Sequence, residues 1–537
     1  MSDAQHASGP GGTAGEPVTG PHFTPQQLAQ ALGKAFPPTP EQATVIEGPL
    51  GPKLVVAGAG AGKTETMASR VVYLVANGLV RPEQVLGLTF TRKAAQQLEQ
   101  RIRRQLLTLR GSGLLIPGSP AAEAVENVAV NVSTYDSYAG DLVREYGLLV
   151  PVEPTARIIT DADNYAIAHE VVTGWEGELI ADTSVDTVVS TLIALSNSMD
   201  NRLTDPSSIA EHERDFRLTL AELEPTSKDK EYTAEQSTWL HKQKLRLQYL
   251  PLLVRFQERK QELGVVTFGE QMAAAATMAQ RHPAVGAAQR ARYRVIMLDE
   301  YQDTSHAQRV LLRSLYGGRH YDGLSVTAVG DPMQAIYGWR GATVENLAAF
   351  VEDFPQADGS PAPKDQLTTS WRNPSRVLDV ANDTATRLFG EAARPVDPLT
   401  ARPQADAGDI ALGYFATRAE EIDFVADRLA ARHAEALAAG RPLSAAVLVR
   451  ANSHSAAIAE ALQARGVPHE IVGLGGLLWE PEVHDLVALA TLLIRPQDTA
   501  AALRILTGPI VGLGLDDVVA LNALSLIHIS EPTRQAE

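Results

Sequence analysis

The sequence predicts an α/β protein of parallel sheets flanked by helices, in two domains, the first with a helical insertion. Three observations predict it. Short apolar runs alternate with helix-period segments in both halves of the chain, the pattern of strands joined by crossover helices. Leu54–Val56 runs straight into a glycine-rich stretch, Ala57–Gly62, and then into helical spacing through Met67, Val71, Leu74 and Val75. Tyr293–Leu298 is near-continuously apolar and ends in adjacent carboxylates, Asp299 and Glu300. That places both acids at the C-terminal edge of a parallel sheet, where such folds bind ligands.

Composition narrows the function classes. At 537 residues there is length for roughly two to four domains. No apolar run approaches the ~18 residues needed to span a bilayer, so no membrane segment is expected. The N-terminus lacks a basic and then apolar leader. There is no cysteine, which excludes disulfides, iron–sulfur clusters and cysteine zinc sites and suits a reducing cytoplasm. The net charge of −17 argues against a passive nucleic-acid coat, whose affinity comes from basic charge. It leaves room for a nucleic-acid motor with its positive charge confined to one groove.

In chain order, residues 1–22 are rich in Gly, Pro, Ser and Thr and read as a disordered tail. Thr24-Pro25-Gln26-Gln27 and Thr39-Pro40-Glu41-Gln42 read as helix starts, a hydroxyl N-cap followed by proline. Gln42 then falls near the first strand. Its side-chain amide, donor and acceptor at once, suits the N6/N7 edge of adenine, and a solvent-facing helical glutamine is the plainer alternative. Ala57-Gly58-Ala59-Gly60-Ala61-Gly62-Lys63-Thr64 fits G-x-x-x-x-G-K-[ST] in all but its first position. Glycines let the backbone turn and aim its N–H groups at phosphate oxygens, and the helix N-terminus adds positive potential. Lys63 can reach the β/γ-phosphates of ATP and Thr64 can ligate Mg²⁺. The glycine spacing does not fit a dinucleotide fingerprint.

Val85–Phe90 reads as a second buried strand, and Thr91-Arg92-Lys93 starts a helix. Arg92, Lys93, Arg101, Arg103, Arg104 and Arg110 there stand against the single acid Glu99, the local footprint of phosphate contact or a solvated basic face. Val130–Val132 is a third strand. Residues 155–262 are helical in pattern and carry a second basic stretch, Lys242, Lys244, Arg246, Arg255, Arg259 and Lys260. At the end of the Tyr293–Leu298 strand, Asp299 can hold Mg²⁺ and Glu300 can polarise an attacking water. Leu324–Val329 is a further strand ending in Gly330-Asp331-Pro332-Met333-Gln334. Tyr337, Trp339 and Arg340 around Gly338 make an aromatic–arginine platform for unpaired bases, unless Trp339 packs in a domain interface. Residues 355–366 read as a linker. Beyond it, strands are expected at Ile410–Phe415, Ala445–Val449 and Glu470–Val472, with helices near 419–433, 455–465 and 482–494. The expected domains are 23–154 with 263–355, the insertion 155–262, and 363–512. Residues 513–537 read as an aberrant tail, a helix from Asp516-Asp517 that dissolves near Ser525.

Taken in order, Ala57–Thr64, Thr89–Ala95, Asp299–Thr304, Gly330–Ala342 and Trp371-Arg372 resemble the motifs of superfamily 1A DNA helicases of the UvrD/PcrA/Rep type over roughly residues 36–515. Phe36–Gln42 and Gly58–Glu65 are similar in wording to actinobacterial heterodimeric helicase–nucleases, which implies a partner helicase–nuclease subunit. The resemblance implies two RecA-like domains with ATP between them and 3′→5′ movement on single-stranded and partially duplex DNA in repair or recombination. By motif position, Gln42 and Trp371 hold adenine, and Ala57–Thr64 hold phosphate. Thr64 and Asp299 hold Mg²⁺, and Glu300 is the catalytic base. Gln334 contacts the γ-phosphate and Arg372 is an arginine finger. Phe90, Thr91, Arg92, Tyr337, Trp339 and Arg340 contact DNA. Arg92, Asp136, Tyr301 and Ser370 depart from the usual residues, and Asp136 puts one DNA contact in question. No T-x-H-x-x-K-G-L-E or V-A-x-T-R-A-like motif follows, so the resemblance implies a second RecA-like domain incomplete at its C-terminus, and a C-terminally truncated chain is expected. The alternative is an ATP- and DNA-binding fragment without motor activity; nothing resembles the guanine-reading loop of a GTPase.

Overall fold

The computed structural model describes residues 23–530 except 127–128, 151–152, 178–182, 223–231, 319–322, 339–340, 343, 391–395 and 473–480. The tail reading of residues 1–22 therefore lies outside the described residues. The chain forms two compact units, Met1–Ile410 and Ala411–Glu537.

The first unit opens with helices α1 (Pro25–Ala31) and α2 (Pro40–Glu47). Thr24 and Thr39 cap them in reciprocal pairs with Gln27 and Gln42. Then follow β1 (Lys53–Ala57), α3 (Lys63–Ala76), β2 (Val85–Thr89), α4 (Arg92–Gly111), α5 (Pro120–Ala124), β3 (Asn131–Thr134) and α6 (Tyr135–Tyr146). After the insertion come α11 (Phe268–Arg281), α12 (Pro283–Arg292), β6 (Val295–Leu298), α13 (His306–Tyr316), β7 (Ser325–Gly330), α14 (Val344–Asp353) and β8 (Lys364–Leu367). These strands make one parallel sheet in the order β3-β2-β6-β7-β1-β8.

Period-2 alternation between two covered faces explains why β1, β2, β6 and β7 are buried throughout. Leu54 and Val56 enter a core with α6, α11 and α13, while Val55 and Ala57 enter a second core with α3 and α4. Both faces are covered, as a parallel sheet requires. Arg70 of α3 is fully buried, and among the described residues no carboxylate lies within ion-pair distance of it. Its Nη1 donates to the carbonyls of Val45, Ile46 and Gly48, and its Nη2 to Pro49 O and Ser325 Oγ. Burial lowers its pKa to about 10. These bonds fix α3, and so the loop before it, to the β1 entry and to β7.

The strand order decides where chemistry can sit. β6, β7 and β1 are neighbours and parallel, so Asp299, Gly330 and the β1–α3 loop emerge side by side at one sheet edge. β2 lies on the far side of β6 and delivers Phe90 to the same edge.

The insertion leaves through β4 (Arg157–Ile158) and returns through β5 (Val265–Val266), which pair in parallel at its base. Between them lie α7 (Asp161–Thr173), α8 (Val185–Arg202), α9 (Pro206–Ala221) and α10 (Ala234–Glu262), around a core of Ile167, Val189, Leu192, Leu252 and Phe256. Lys260, buried, pairs with Glu270 and lies 4.2 Å over the Phe256 ring. Beside them burial, and then Glu270, raise the Asp200 carboxyl to about 7, against an ordinary 3.8, with Lys260 opposing. The folded state therefore holds a proton that the unfolded chain releases. This contribution is full below about pH 4 and is lost as pH rises through about 7. Asp200→Asn is expected to stabilise the protein near pH 8 by up to about 4 kcal/mol and to leave it unchanged near pH 4. Denaturant midpoints at the two pH values check this; equal gaps at both would contradict it.

Residues 355–363 hold no helix or strand, and Lys364–Leu367 then pairs in parallel with β1 and extends the sheet. Its sequence is polar, as a single-faced edge strand allows. The first compact unit continues to Ile410. Thr369–Ser370 (β9) pairs with Thr400–Ala401 (β10), and α15 starts at Ser375.

The second unit carries α16 (Arg418–Ala438), α17 (Ser455–Ala464), α18 (Pro481–Ile494), α19 (Thr499–Thr507) and α20 (Leu515–Ser530). The helices match the expected positions, and α20 runs on past Ser525, where the sequence reading let it dissolve. The expected strands at 410–415, 445–449 and 470–472 are absent among the described residues. An apolar run becomes a strand only when a neighbour pairs its N–H and C=O groups. Here these segments are unpaired, and Leu412, Tyr414 and Leu448 are fully exposed.

Candidate nucleotide site and nucleic-acid face

Gly58–Gly62 makes the turn between β1 and α3. Gly60 and Gly62 have φ of 76° and 82°, a conformation L side chains rarely take. The loop is also crowded. Trp371 N donates to Gly60 O at 2.9 Å and Ser370 Oγ to Ala59 O at 2.9 Å. A Cβ on Gly60 would lie 2.7 Å from both Arg372 Cβ and Ser370 Oγ, and one on Gly58 would lie 2.2 Å from Leu399 Cδ2. Gly60→Ala is expected to cost about 2–3 kcal/mol, from left-handed strain and the clash together. A denaturant midpoint within error of the wild type would show that the loop is not held this way.

Lys63 Nζ donates to Glu300 Oε2 at 3.1 Å. Glu300 sits at φ 49°, a strained position for a residue with a side chain, costing about 1–3 kcal/mol. Surrounding bonds hold it there. Its N–H donates to Asp299 Oδ1 at 3.1 Å, and its carbonyl accepts from Asp303 N at 3.0 Å. Gln302 Nε2 donates to Glu300 Oε2 at 2.9 Å, while Gln302 Oε1 accepts from Asp331 N at 3.0 Å. Asp331 Oδ2 accepts from Gln334 Nε2 at 2.6 Å. A bonded line thus runs from Lys63 through Glu300, Gln302 and Asp331 to Gln334, just before Tyr337. Sequence reading gave Gln302 and Asp331 no role. Asp299 is buried, and burial, then Glu300, raise its carboxyl to about 6 against the pull of Lys63.

Beside the loop lies a pocket of about 380 Å³ walled by Leu28, Phe36, Gln42, Ile46, Val72 and Trp371. The Phe36 and Trp371 rings stand 5.2 Å apart, tilted by 49°. Gln42 Oε1 accepts from Thr39 N and Nε2 donates to Ala61 O, each at 3.1 Å. One acceptor lone pair and one N–H remain on its amide, the pair a purine edge needs. Sequence reading gives Phe36 no role, because nothing local marks it; only the fold brings it to Trp371. Glu41 was missed for the same reason. Its carboxylate accepts from Thr368 N at 3.0 Å and Thr368 Oγ1 at 2.5 Å, holding the chain that carries Trp371 and Arg372 onto α2. Arg372 itself is exposed next to Gly60, within the first compact unit.

At the far end of the bonded line, Phe90 and Tyr337 stack with centroids 4.8 Å apart. Thr91 caps α4, its hydroxyl accepting from Ala94 N, and Arg92 is exposed in the first turn. Asp136 Oδ1 accepts from Gln308 Nε2 at 3.3 Å. Trp339 and Arg340 lie outside the described residues. One basic residue of α4 is diverted: Arg101 pairs with Glu65 at 3.1 Å, which Lys34 also meets at 2.5 Å. Arg92, Lys93, Arg103, Arg104 and Arg110 remain exposed.

A buried strand, a glycine turn and a helix opening on Lys63-Thr64, with a carboxylate from a nearby strand against the lysine, define a P-loop nucleotide-binding protein. Residues 38–355 match the UvrD/REP helicase N-terminal domain and residues 366–532 the UvrD-like helicase C-terminal domain, and the chain belongs to this family. It is similar to the ATP-dependent DNA helicase UvrD1 of Mycobacterium tuberculosis, 30% identical over 493 residues, covering 90% of this chain and 56% of that protein. It is also similar to the ATP-dependent DNA helicase PcrA of Leuconostoc citreum, 27% identical, covering 90% and 56%. The ATP-dependent DNA helicase Rep of Escherichia coli is 26% identical, covering 88% and 60%. The chain thus spans little more than half the length of these relatives.

Proposed function

We propose that this chain carries the ATP-hydrolysing and DNA-gripping core of a 3′→5′ DNA helicase that moves on single-stranded DNA in repair or recombination. The observation that carries the reading is the bonded line from Lys63 to Gln334, which joins the phosphate loop to the Phe90–Tyr337 stack. The purine sits against Phe36 and Trp371 and is read by Gln42. Lys63 and the Gly58–Gly62 N–H groups take the phosphates. With Lys63 turned to phosphate, the Glu300 carboxylate loses its cation, keeps the bond from Gln302 Nε2, and can accept a proton from the attacking water. Arg372 brings a cation to the transferring phosphoryl group, and Gln334 reports its loss to the Tyr337 loop.

Thr64 and Asp299 would hold Mg²⁺. They fit a hard cation: both offer oxygen, and a cation offsets what raises Asp299. Among the described residues there is no cluster of three metal-binding side chains, so phosphate and water would complete the shell, as is usual for Mg²⁺. Mg²⁺, when bound, neutralises charge developing on phosphate oxygens. Phe90, Tyr337 and Trp339 stack on bases, with Thr91, Arg92 and Arg340 on the backbone. The reading includes a cytoplasmic protein and a partner helicase–nuclease subunit. No helix of the described residues is long and apolar enough to cross a membrane.

The second reading is an ATP- and DNA-binding module that does not step. The unpaired segments of the second unit favour it, since stepping needs two rigid domains. Strand displacement separates the two. Duplexes with a 3′ single-stranded tail, but not a 5′ tail, are expected to be unwound with ATP. Binding of both without unwinding of either is the module's result.

A further inference from the structure

We propose that the cleft among α8, α9 and α10 is a second seat for unpaired DNA; this rests on the DNA-binding reading above. The second basic stretch divides in the structure. Arg255, Arg259 and Lys260 are neutralised by Glu262, Glu170 and Glu270. Lys242 and Arg246, one turn apart on α10, point into the cleft with Arg202 from the end of α8. Among the described residues none of these three has a carboxylate within ion-pair distance. Among the described residues no acid lines the cleft, although the chain's net charge is −17. The nearest capping acid, Asp205, is engaged by Ser207 and Ser208.

Three cations without acids recognise phosphate, and the hydroxyls of Ser198 and Thr204 add donors. The floor separates single strands from duplex. Leu195, Met199, Ile209, Leu245 and Tyr249 present apolar surface between the cations. A duplex shows only its backbone and has no use for that surface, whereas unpaired bases cover it. At about 1260 Å³ against about 380 Å³ for the base pocket, the cleft has room for more than one nucleotide. It also continues the expected DNA path. A Cβ on Gly341, in the loop carrying Tyr337, would lie 3.4 Å from Asn201, the residue before Arg202. A strand leaving the Phe90–Tyr337 stack reaches Arg202 and then the cleft.

The test uses the full chain and a fluorescent oligothymidylate, by anisotropy over a range of salt. Lys242 and Lys244 lie on one helix, two residues apart, on opposite faces, and both are exposed. Lys242→Glu, and more so Lys242→Glu/Arg246→Glu, is expected to weaken binding about tenfold or more and to flatten the salt slope by about 1–2. Lys244→Glu, the same change of charge, is expected to stay within about twofold. DNA-free ATP hydrolysis and the melting temperature report that the variants are folded. Equal losses for Lys242→Glu and Lys244→Glu would assign the effect to the general field and overturn the site, as would no loss in either. A blunt duplex weakened by Lys242→Glu as much as the single strand would overturn the assignment to unpaired DNA. Failure of the wild type to bind oligothymidylate at all would instead remove the DNA-binding reading itself.

Discussion

Lys63→Ala is expected to lower ATP hydrolysis about a thousandfold and to abolish detectable nucleotide binding at ordinary concentrations. Lys63 is the one cation at the first turn of α3, where the Gly58–Gly62 N–H groups converge. Its loss removes a charge-assisted bond to phosphate in a partly enclosed site, where such bonds are worth more than in water. It also leaves Glu300 without its 3.1 Å partner, so two carboxylates, Asp299 and Glu300, face the phosphates uncompensated. The fold should survive, because Lys63 lies at the start of α3 and the core contacts of that helix begin at Thr66. Isothermal titration with an ATP analogue, beside a thermal melt, checks both halves. Unaltered binding in a folded Lys63→Ala protein would remove the phosphate loop from the account.

Glu300→Gln is expected to separate binding from turnover. Hydrolysis should fall about a hundred- to ten-thousandfold, since an amide cannot take the proton from water. Nucleotide binding should be kept or tightened, because one negative charge beside Asp299 and the phosphates is gone. Glutamine keeps an oxygen for the bond from Gln302 Nε2, so the line to Asp331 stays in place. A variant that loses binding and turnover together would mean that Glu300 shapes the site and does not act as its base.

The sequence made the first sheet legible where apolar runs met sharp punctuation. β1, β2, β6 and β7 are four to six residues long, mostly apolar and buried throughout, and run into Gly58, Thr89, Asp299 and Gly330. β8, Lys-Asp-Gln-Leu, escaped because a strand at a sheet edge need not be apolar. The same criterion over-read the second unit, where apolar runs found no partner strand. In the site, residues that act through their own motif were legible, and those that act through the fold were not. Gln302 matters because it meets Asp331, and Phe36 because it meets Trp371. The second basic stretch shows the same limit. Only the fold reveals that Glu170 and Glu270 neutralise its far half and leave Lys242 and Arg246 open.

Steady-state ATP hydrolysis by the wild-type chain, with and without single-stranded DNA, tests the central claim most directly. The account predicts hydrolysis that rises severalfold or more with DNA and disappears in Lys63→Ala and Glu300→Gln. Hydrolysis indifferent to DNA, or persisting in both variants, would contradict a phosphate loop wired through Glu300 and Gln334 to a DNA-binding face.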